Sequence, residues 1–193
     1  MKEIVFATNN KHKAAEVELL LGKDFLINTL SSIGCFEDVP ETSDSLEGNA
    51  RQKAKYVFDN YGIDCFADDT GLEVESLNGE PGIYSARYAG NQRSAEDNMA
   101  LLLANLERQE NRNAQFRTVI SLVIDGEYYS FEGIAKGVIT MKNSGTKGFG
   151  YDPIFRPLGY DITFSEMSKE EKNLISHRGI AIRKLVKFLK KSN

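Results

Sequence analysis

Apolar positions along the chain change period several times, and each change marks an element. Ile4-Val5-Phe6-Ala7 is an unbroken apolar run, the mark of a strand covered on both faces. Thr8-Asn9-Asn10 ends it with turn and capping residues. Ala14, Val17, Leu20 and Leu21 then recur on one helical face, with Gly22 placed as the C-terminal glycine. Phe25 to Leu30 reads as a second strand. Residues 31 to 45 show no period. Asp44 and Glu47 form a capping-box-like start for a helix whose apolar face is Leu46, Ala50, Ala54, Val57, Phe58 and Tyr61, ending at Gly62. Lys53 lies off that face, so it is either solvated or aimed at the site, and its position alone favours solvation.

A short apolar run, Cys65-Phe66-Ala67, leads into Asp68-Asp69-Thr70-Gly71 and a second alternating stretch. Ser94 with Asp97 starts a third helix, carrying Met99, Leu102, Leu103 and Leu106. Phe116 to Ile124 and Tyr128 to Ile139 are strand-like and joined by Asp125-Gly126, a hairpin signal. Ser168 with Glu171 forms another capping box. Ser176-His177-Arg178-Gly179 then precede or interrupt a last helix packing through Ile182, Leu185, Val186 and Leu189. Helices interleaved with both crossover and hairpin strands predict an α/β fold, a mixed sheet flanked by helices. At 193 residues the chain suits one domain, residues 1–193.

Composition narrows the partners. A net charge of −4 argues against nucleic acid and against acidic membranes, so any anionic ligand must be held by a local cluster of cations. The two cysteines, Cys35 and Cys65, form neither a disulfide framework nor a metal-ligand spacing. No apolar stretch has the length of a signal peptide or membrane span, so a cytoplasmic protein is expected.

Three stretches carry candidate chemistry. Adjacent carboxylates at the mouth of a buried strand, Asp68 and Asp69, must be paired, metal-bound or neutral; Asp, Thr and Gly also suit a plain tight turn. Lys11 and Lys13 sit in a helix's first turn, where the dipole disfavours a cation unless an anion is present. Thr8-x-Asn10-x-x-Lys13 therefore reads as a phosphate cradle with open N–H groups, or as two solvated lysines. From Ser144 to Phe155, glycines interleave with aromatics, which suits a backbone approaching a flat ligand closely while a ring stacks on it. Glu41, Asp68 and Asp69 with Lys13, Lys53, Lys147 and Lys172 fit a nucleotide bound with Mg²⁺, a hard cation that takes one or two carboxylates plus phosphates. No P-loop occurs, and Gly148-Phe149-Gly150 does not continue as a dinucleotide fingerprint.

Five blocks, Thr8 to Lys13, Ala67-Asp68-Asp69-Thr70-Gly71-Leu72, Pro81 to Arg87, Phe149 to Phe155 and Ser176-His177-Arg178, together resemble the inosine triphosphate pyrophosphatase family. The resemblance implies an elongated central sheet, two lobes with a nucleotide cleft between them, and a homodimer. It implies Mg²⁺-dependent hydrolysis of ITP, dITP and XTP to the monophosphate and pyrophosphate. Carried over by position, the turn of Thr8, Asn9, Asn10, Lys11, His12 and Lys13 binds the triphosphate together with Lys53. Glu41 and Asp69 match the metal-linked carboxylates, with Asp69 also the catalytic base. Thr70 stands where serine is often found, and Asn9 where glycine is. Phe149, Gly150, Tyr151, Asp152, Lys172, His177 and Arg178 match the base and ribose pocket, Tyr151 replacing a tryptophan of some members.

Three rivals stay open on sequence. An aspartate-nucleophile phosphomonoesterase needs D-x-D, whereas adjacent aspartates on a strand point to opposite faces. A nucleotide sensor would bind without turnover. A related pyrophosphatase would act on modified pyrimidines instead.

Overall fold

Residues 2–21 and 25–191 are described by a computed structural model; Gly22, the expected helix-ending glycine, lies outside them. The elements run β1 (Lys2–Phe6), α1 (Lys11–Leu21), β2 (Phe25–Thr29), α2 (Leu46–Tyr61), β3 (Cys65–Val74), β4 (Pro81–Gly82), α3 (Ala95–Asn105), β5 (Asn113–Ile124), β6 (Glu127–Ile139), β7 (Phe155–Pro157), α4 (Lys169–Ile175) and α5 (His177–Lys191). The sheet order is β2-β1-β3-β5-β6-β7, with β4 added to β3. β1 pairs in parallel with β2 and β3, while β4 and β7 join antiparallel, so the expected mixed α/β sheet is what forms.

Two compact units share these strands. One comprises Met1–Asp69, Thr118–Gly133 and Arg178–Asn193; the other comprises Thr70–Arg117 and Ile134–His177. In the first unit the sheet is covered on both faces, which explains the unbroken apolar run of β1. Ile4, Phe6 and Phe66 pack with Val17 and Leu21 of α1 and Ile182, Leu185 and Leu189 of α5. Val5, Ala7, Cys65 and Ala67 pack on the opposite side with Ala54 and Val57 of α2. The second unit has one core, in which Leu72, Val74, Ala114, Phe116 and Ala135 meet Met99 and Leu102 of α3, and Phe155 and Phe164.

Several local expectations are met. Ser94 accepts from Asp97 N–H at the start of α3, and Ser168 with Glu171 forms a full capping box on α4. Asp125 and Gly126 take φ of 51° and 79°, as the hairpin turn requires. Others are corrected. The N-cap of α2 is Ser45, whose hydroxyl accepts from Gly48 N–H, and not Asp44. β2 stops at Thr29, because Leu30 opens a short 3₁₀ turn. Asp68-Asp69-Thr70-Gly71 is no turn: β3 runs straight through it. Among the described residues no helix is long and apolar enough to cross a membrane.

Candidate active site

Alternation along β3 decides where the acidic pair goes. Asp68 shares a face with Phe66, toward α1 and α5; Asp69 shares one with Ala67, toward α2. The same two residue types thus enter different environments.

On the α1 and α5 side, Asp68 is 2% exposed and doubly paired. Lys13 Nζ donates to its Oδ1 at 2.8 Å, and Arg178 Nε to its Oδ2 at 3.1 Å. Arg178, itself 1% exposed, also donates through Nη1 to Glu16 Oε2 at 2.5 Å. Burial would raise the Asp68 carboxyl, but Lys13 and Arg178 beside it outweigh that and hold it well below the usual carboxylate range. Burial, helped by Lys53 and Arg178, lowers Lys13 despite the pull of Asp68. Arg178, which the resemblance assigns to the base and ribose pocket, pairs here with Asp68 and Glu16.

On the α2 side stands Lys53, and of its two readings, solvated or aimed at the site, the structure excludes the solvated one. The buried stripe of α2 includes Leu46, Asn49, Ala50, Lys53, Ala54 and Val57, so Lys53 points at the sheet. Its ammonium reaches Glu41 Oε1 at 2.5 Å and Asp69 Oδ1 at 3.5 Å. The buried amine loses solvation, yet Asp69 and Glu41 raise its pKa above the ordinary value. Burial pushes the Asp69 carboxyl up, and Glu41 and Asp68 add to that against Lys53 and Lys13. Asn49 Nδ2 donates to Asp69 Oδ2 at 3.2 Å.

Two carboxylates that share one ammonium present an all-oxygen donor pair to a single cation position. Among the described residues no three His, Cys, Asp or Glu side chains converge into a closed cage. That donor set suits a hard divalent ion completed by substrate phosphate and water, so Glu41 and Asp69 fit the metal role.

The turn before α1 is built by its own side chains. Thr8 Oγ1 accepts from Asn10 N–H at 3.1 Å, and Asn10 Oδ1 accepts from His12 and Lys13 N–H at 3.0 and 3.2 Å. The N–H groups of His12 and Lys13, expected to be open to an anion, are thus already capped by Asn10. Asn9, Asn10, Lys11 and His12 are exposed, and Thr8 is half-buried.

The second unit holds the remaining candidates. Asp152 is 2% exposed and accepts from Phe149 N–H at 2.8 Å and Lys172 Nζ at 2.6 Å. Gly148 (φ 76°) sits so close that a Cβ there would run into the Asp152 carboxylate. Lys172, set by the capping box of α4, lies 5.0 Å from the Phe149 ring centroid. His177 stacks on Phe116 at 4.5 Å. Of the two expected stacking rings, Phe149 is half-buried beside Gly150, whereas Tyr151 is in the core and its hydroxyl donates to Ser85 O at 2.9 Å. Thr70, half-buried, opens the unit within β3. Lys147 is exposed and donates to Glu166 O at 3.3 Å, outside the buried pair.

Sequence reading missed Asn49 and Glu16. Both carried a signal: Asn49 is four residues before Lys53 on one helical face, and Glu16 three after Lys13.

Comparison with known proteins places the whole chain in one family. The family model described as Ham1 family matches residues 4–188. A dITP/XTP pyrophosphatase of Flavobacterium johnsoniae is 57% identical over 187 residues, covering 97% of each chain. One of Porphyromonas gingivalis is 49% identical, covering 98% of each. Among solved structures, the Staphylococcus aureus Ham1 protein superposes with a TM-score of 0.91 at 42% identity, covering 100% of both chains. A nucleoside-triphosphatase/dITP/XTP pyrophosphatase from Mycobacterium abscessus gives 0.77 at 41%, covering 95% of this chain and 98% of its own. Matched from near its first strand into its last helix, the chain belongs to the Ham1 family.

Proposed function

We propose that this chain is a dITP/XTP pyrophosphatase, which hydrolyses ITP, dITP and XTP to the nucleoside monophosphate and pyrophosphate. The observation that carries this reading is the split fate of the β3 aspartates. Asp68 is locked as a carboxylate between Lys13 and Arg178, while Asp69 faces Lys53 and Glu41 with its pKa raised. A carboxylate whose pKa is raised is the stronger proton acceptor. The names of the relatives supply the substrate class.

In this mechanism Glu41 and Asp69 would hold Mg²⁺, which when bound would neutralise phosphate charge and polarise the phosphoryl group. Asp69 orients a water toward the α phosphorus and takes its proton. Lys53, kept charged by its carboxylates, and Lys13 neutralise charge developing on the leaving pyrophosphate. Thr8 and Asn10 bind the triphosphate through side-chain donors, the hydroxyl O–H and the amide Nδ2, since the N–H groups of His12 and Lys13 are already taken. In the second unit, Lys172 and His177 recognise the base and Phe149 stacks on it. An ammonium only donates, so it welcomes the 6-keto oxygen of hypoxanthine or xanthine and is left facing a donor when adenine is offered. Sites of this kind discriminate by up to ~10⁴–10⁵-fold.

The test is hydrolysis of ITP in ¹⁸O-water with Mg²⁺ present. Label is expected in the monophosphate, with unlabelled pyrophosphate released. Release of orthophosphate and a diphosphate would sink the assignment, and tight binding without turnover across a nucleotide panel would leave a sensor.

A homodimer and a cytoplasmic location complete the reading. The first is motivated by large apolar side chains left in water, Met141, Leu158 and Leu174 at 76, 74 and 71% exposed. The second is motivated by two buried, unpaired cysteines, Cys35 and Cys65.

A further inference from the structure

Glu41 lies on a segment, residues 34–44, with neither helix nor strand of its own. A carboxylate on such a segment is held in place only by what grips the chain around it. Here the grip comes from one face of α2, in register and running antiparallel to it. Asn49 Oδ1 accepts from Ser43 N–H at 2.9 Å. Gln52 takes Thr42 at both ends, its Oε1 accepting from the N–H at 2.9 Å and its Nε2 donating to the hydroxyl at 2.9 Å. Lys53 then meets Glu41 itself. The buried Asn49, 3% exposed, has a second attachment, because its Nδ2 donates to Asp69. One amide thus bolts the segment carrying Glu41 to the strand carrying Asp69.

We propose that Asn49 and Gln52 are positioning residues that set Glu41 and Asp69 at the separation one divalent cation requires. The inference rests on reading those carboxylates as the metal pair. Groups that orient metal ligands are commonly worth about 10–100-fold in metal affinity.

The test uses the full chain with Asn49→Ala and Gln52→Met. The second change is the safer one, since Gln52 is half-buried and touches neither carboxylate. Amide hydrogen exchange without metal reads the grip directly: protection at Thr42 and Ser43 should fall about tenfold or more, with the circular dichroism spectrum unchanged. Binding of Mn²⁺, counted as free ion by electron paramagnetic resonance with a non-hydrolysable ITP analogue present, should weaken about tenfold. Affinity for the analogue without metal should stay within about twofold, a split that a general loss of structure would not produce. Normal protection in both variants, or lost protection with Mn²⁺ affinity unchanged, overturns the proposal. Failure of the underlying reading looks different: Glu41→Gln would then leave Mn²⁺ affinity untouched, and the inference would fall with it.

Discussion

Asp68 and Asp69 are neighbours with opposite tasks, and single substitutions separate them. Asp68→Asn removes the anion from between half-buried Lys13 and buried Arg178 and leaves both cations short of a partner. Breaking such a pair costs about 3–5 kcal/mol, a fall in Tm of roughly 10 °C in a domain of this size. The pH dependence follows from the lowered carboxyl. Stability supplied by Asp68 is complete above its unfolded pKa, ~3.9, and is lost as pH falls toward its folded value, so the gap between wild type and variant should close in acid. Asp69 has the opposite sign. Its raised pKa makes the ionised form a cost at neutral pH, so Asp69→Asn should keep or raise Tm while kcat drops ~10²–10⁴-fold. Calorimetry and initial rates on the two variants check this; the reverse pattern would exchange the assignments. Arg178→Ala strands Asp68 and Glu16, so kcat/KM should fall by one common factor for ITP and ATP. A loss confined to ITP would return Arg178 to the base.

Lys53 and Lys172 are presented by helices whose starts are fixed locally. Helix α2 begins at Ser45, whose hydroxyl caps Gly48 N–H, and ends at Gly62 with φ 64°, a left-handed position that costs glycine little. Between those stops the phase of the helix is set, and with it the direction of Asn49, Gln52 and Lys53. Ser45→Ala should cost about 1 kcal/mol, or roughly 2–4 °C in Tm. A Tm shift of nil in thermal melts would show that packing alone starts the helix. The capping box at Ser168 and Glu171 does the same service for Lys172 in α4. Sequence reading erred on α2 for a physical reason. Apolar side chains alone define its stripe through Leu46, Ala50, Ala54 and Val57, yet Asn49 and Lys53 lie inside that stripe because their polar ends find Asp69, Glu41 and Ser43. A buried polar group is invisible to hydrophobic periodicity until its partners are known.

At the scale of the whole chain, strands β3, β5 and β6 each run through both compact units. The first unit buries its sheet on two faces and gathers the charges paired around Asp68 and Asp69. The second builds a single aromatic core around Phe116, Phe155 and Phe164, against which His177 and Lys172 are set. The proposed homodimer is a property of this scale. Light scattering should give a mass of ~43 kDa, twice the 21.6 kDa chain. A mass of one chain at micromolar concentration would remove the dimer from the reading.

Sequence by itself determined the elements that local forces govern. The two-face burial of β1, the caps at Ser94 and Ser168, the Asp125-Gly126 hairpin and the opposite facing of Asp68 and Asp69 all follow from periodicity, side-chain hydrogen bonding and backbone sterics within a few residues. The resemblance carried by five separated blocks added the family. Pairing between distant charges was decided only by tertiary structure. Arg178 lies 110 residues from Asp68, and 162 from Glu16. Nothing in a local pattern says that an arginine opening the last helix will close on an aspartate in the middle of the chain. Whether β3 turns at Thr70-Gly71 or continues was settled the same way, because the strand is extended by neighbours on which its own residues are silent. Desolvation and charge pairing depend on what surrounds a group, and those surroundings exist only once the chain has folded.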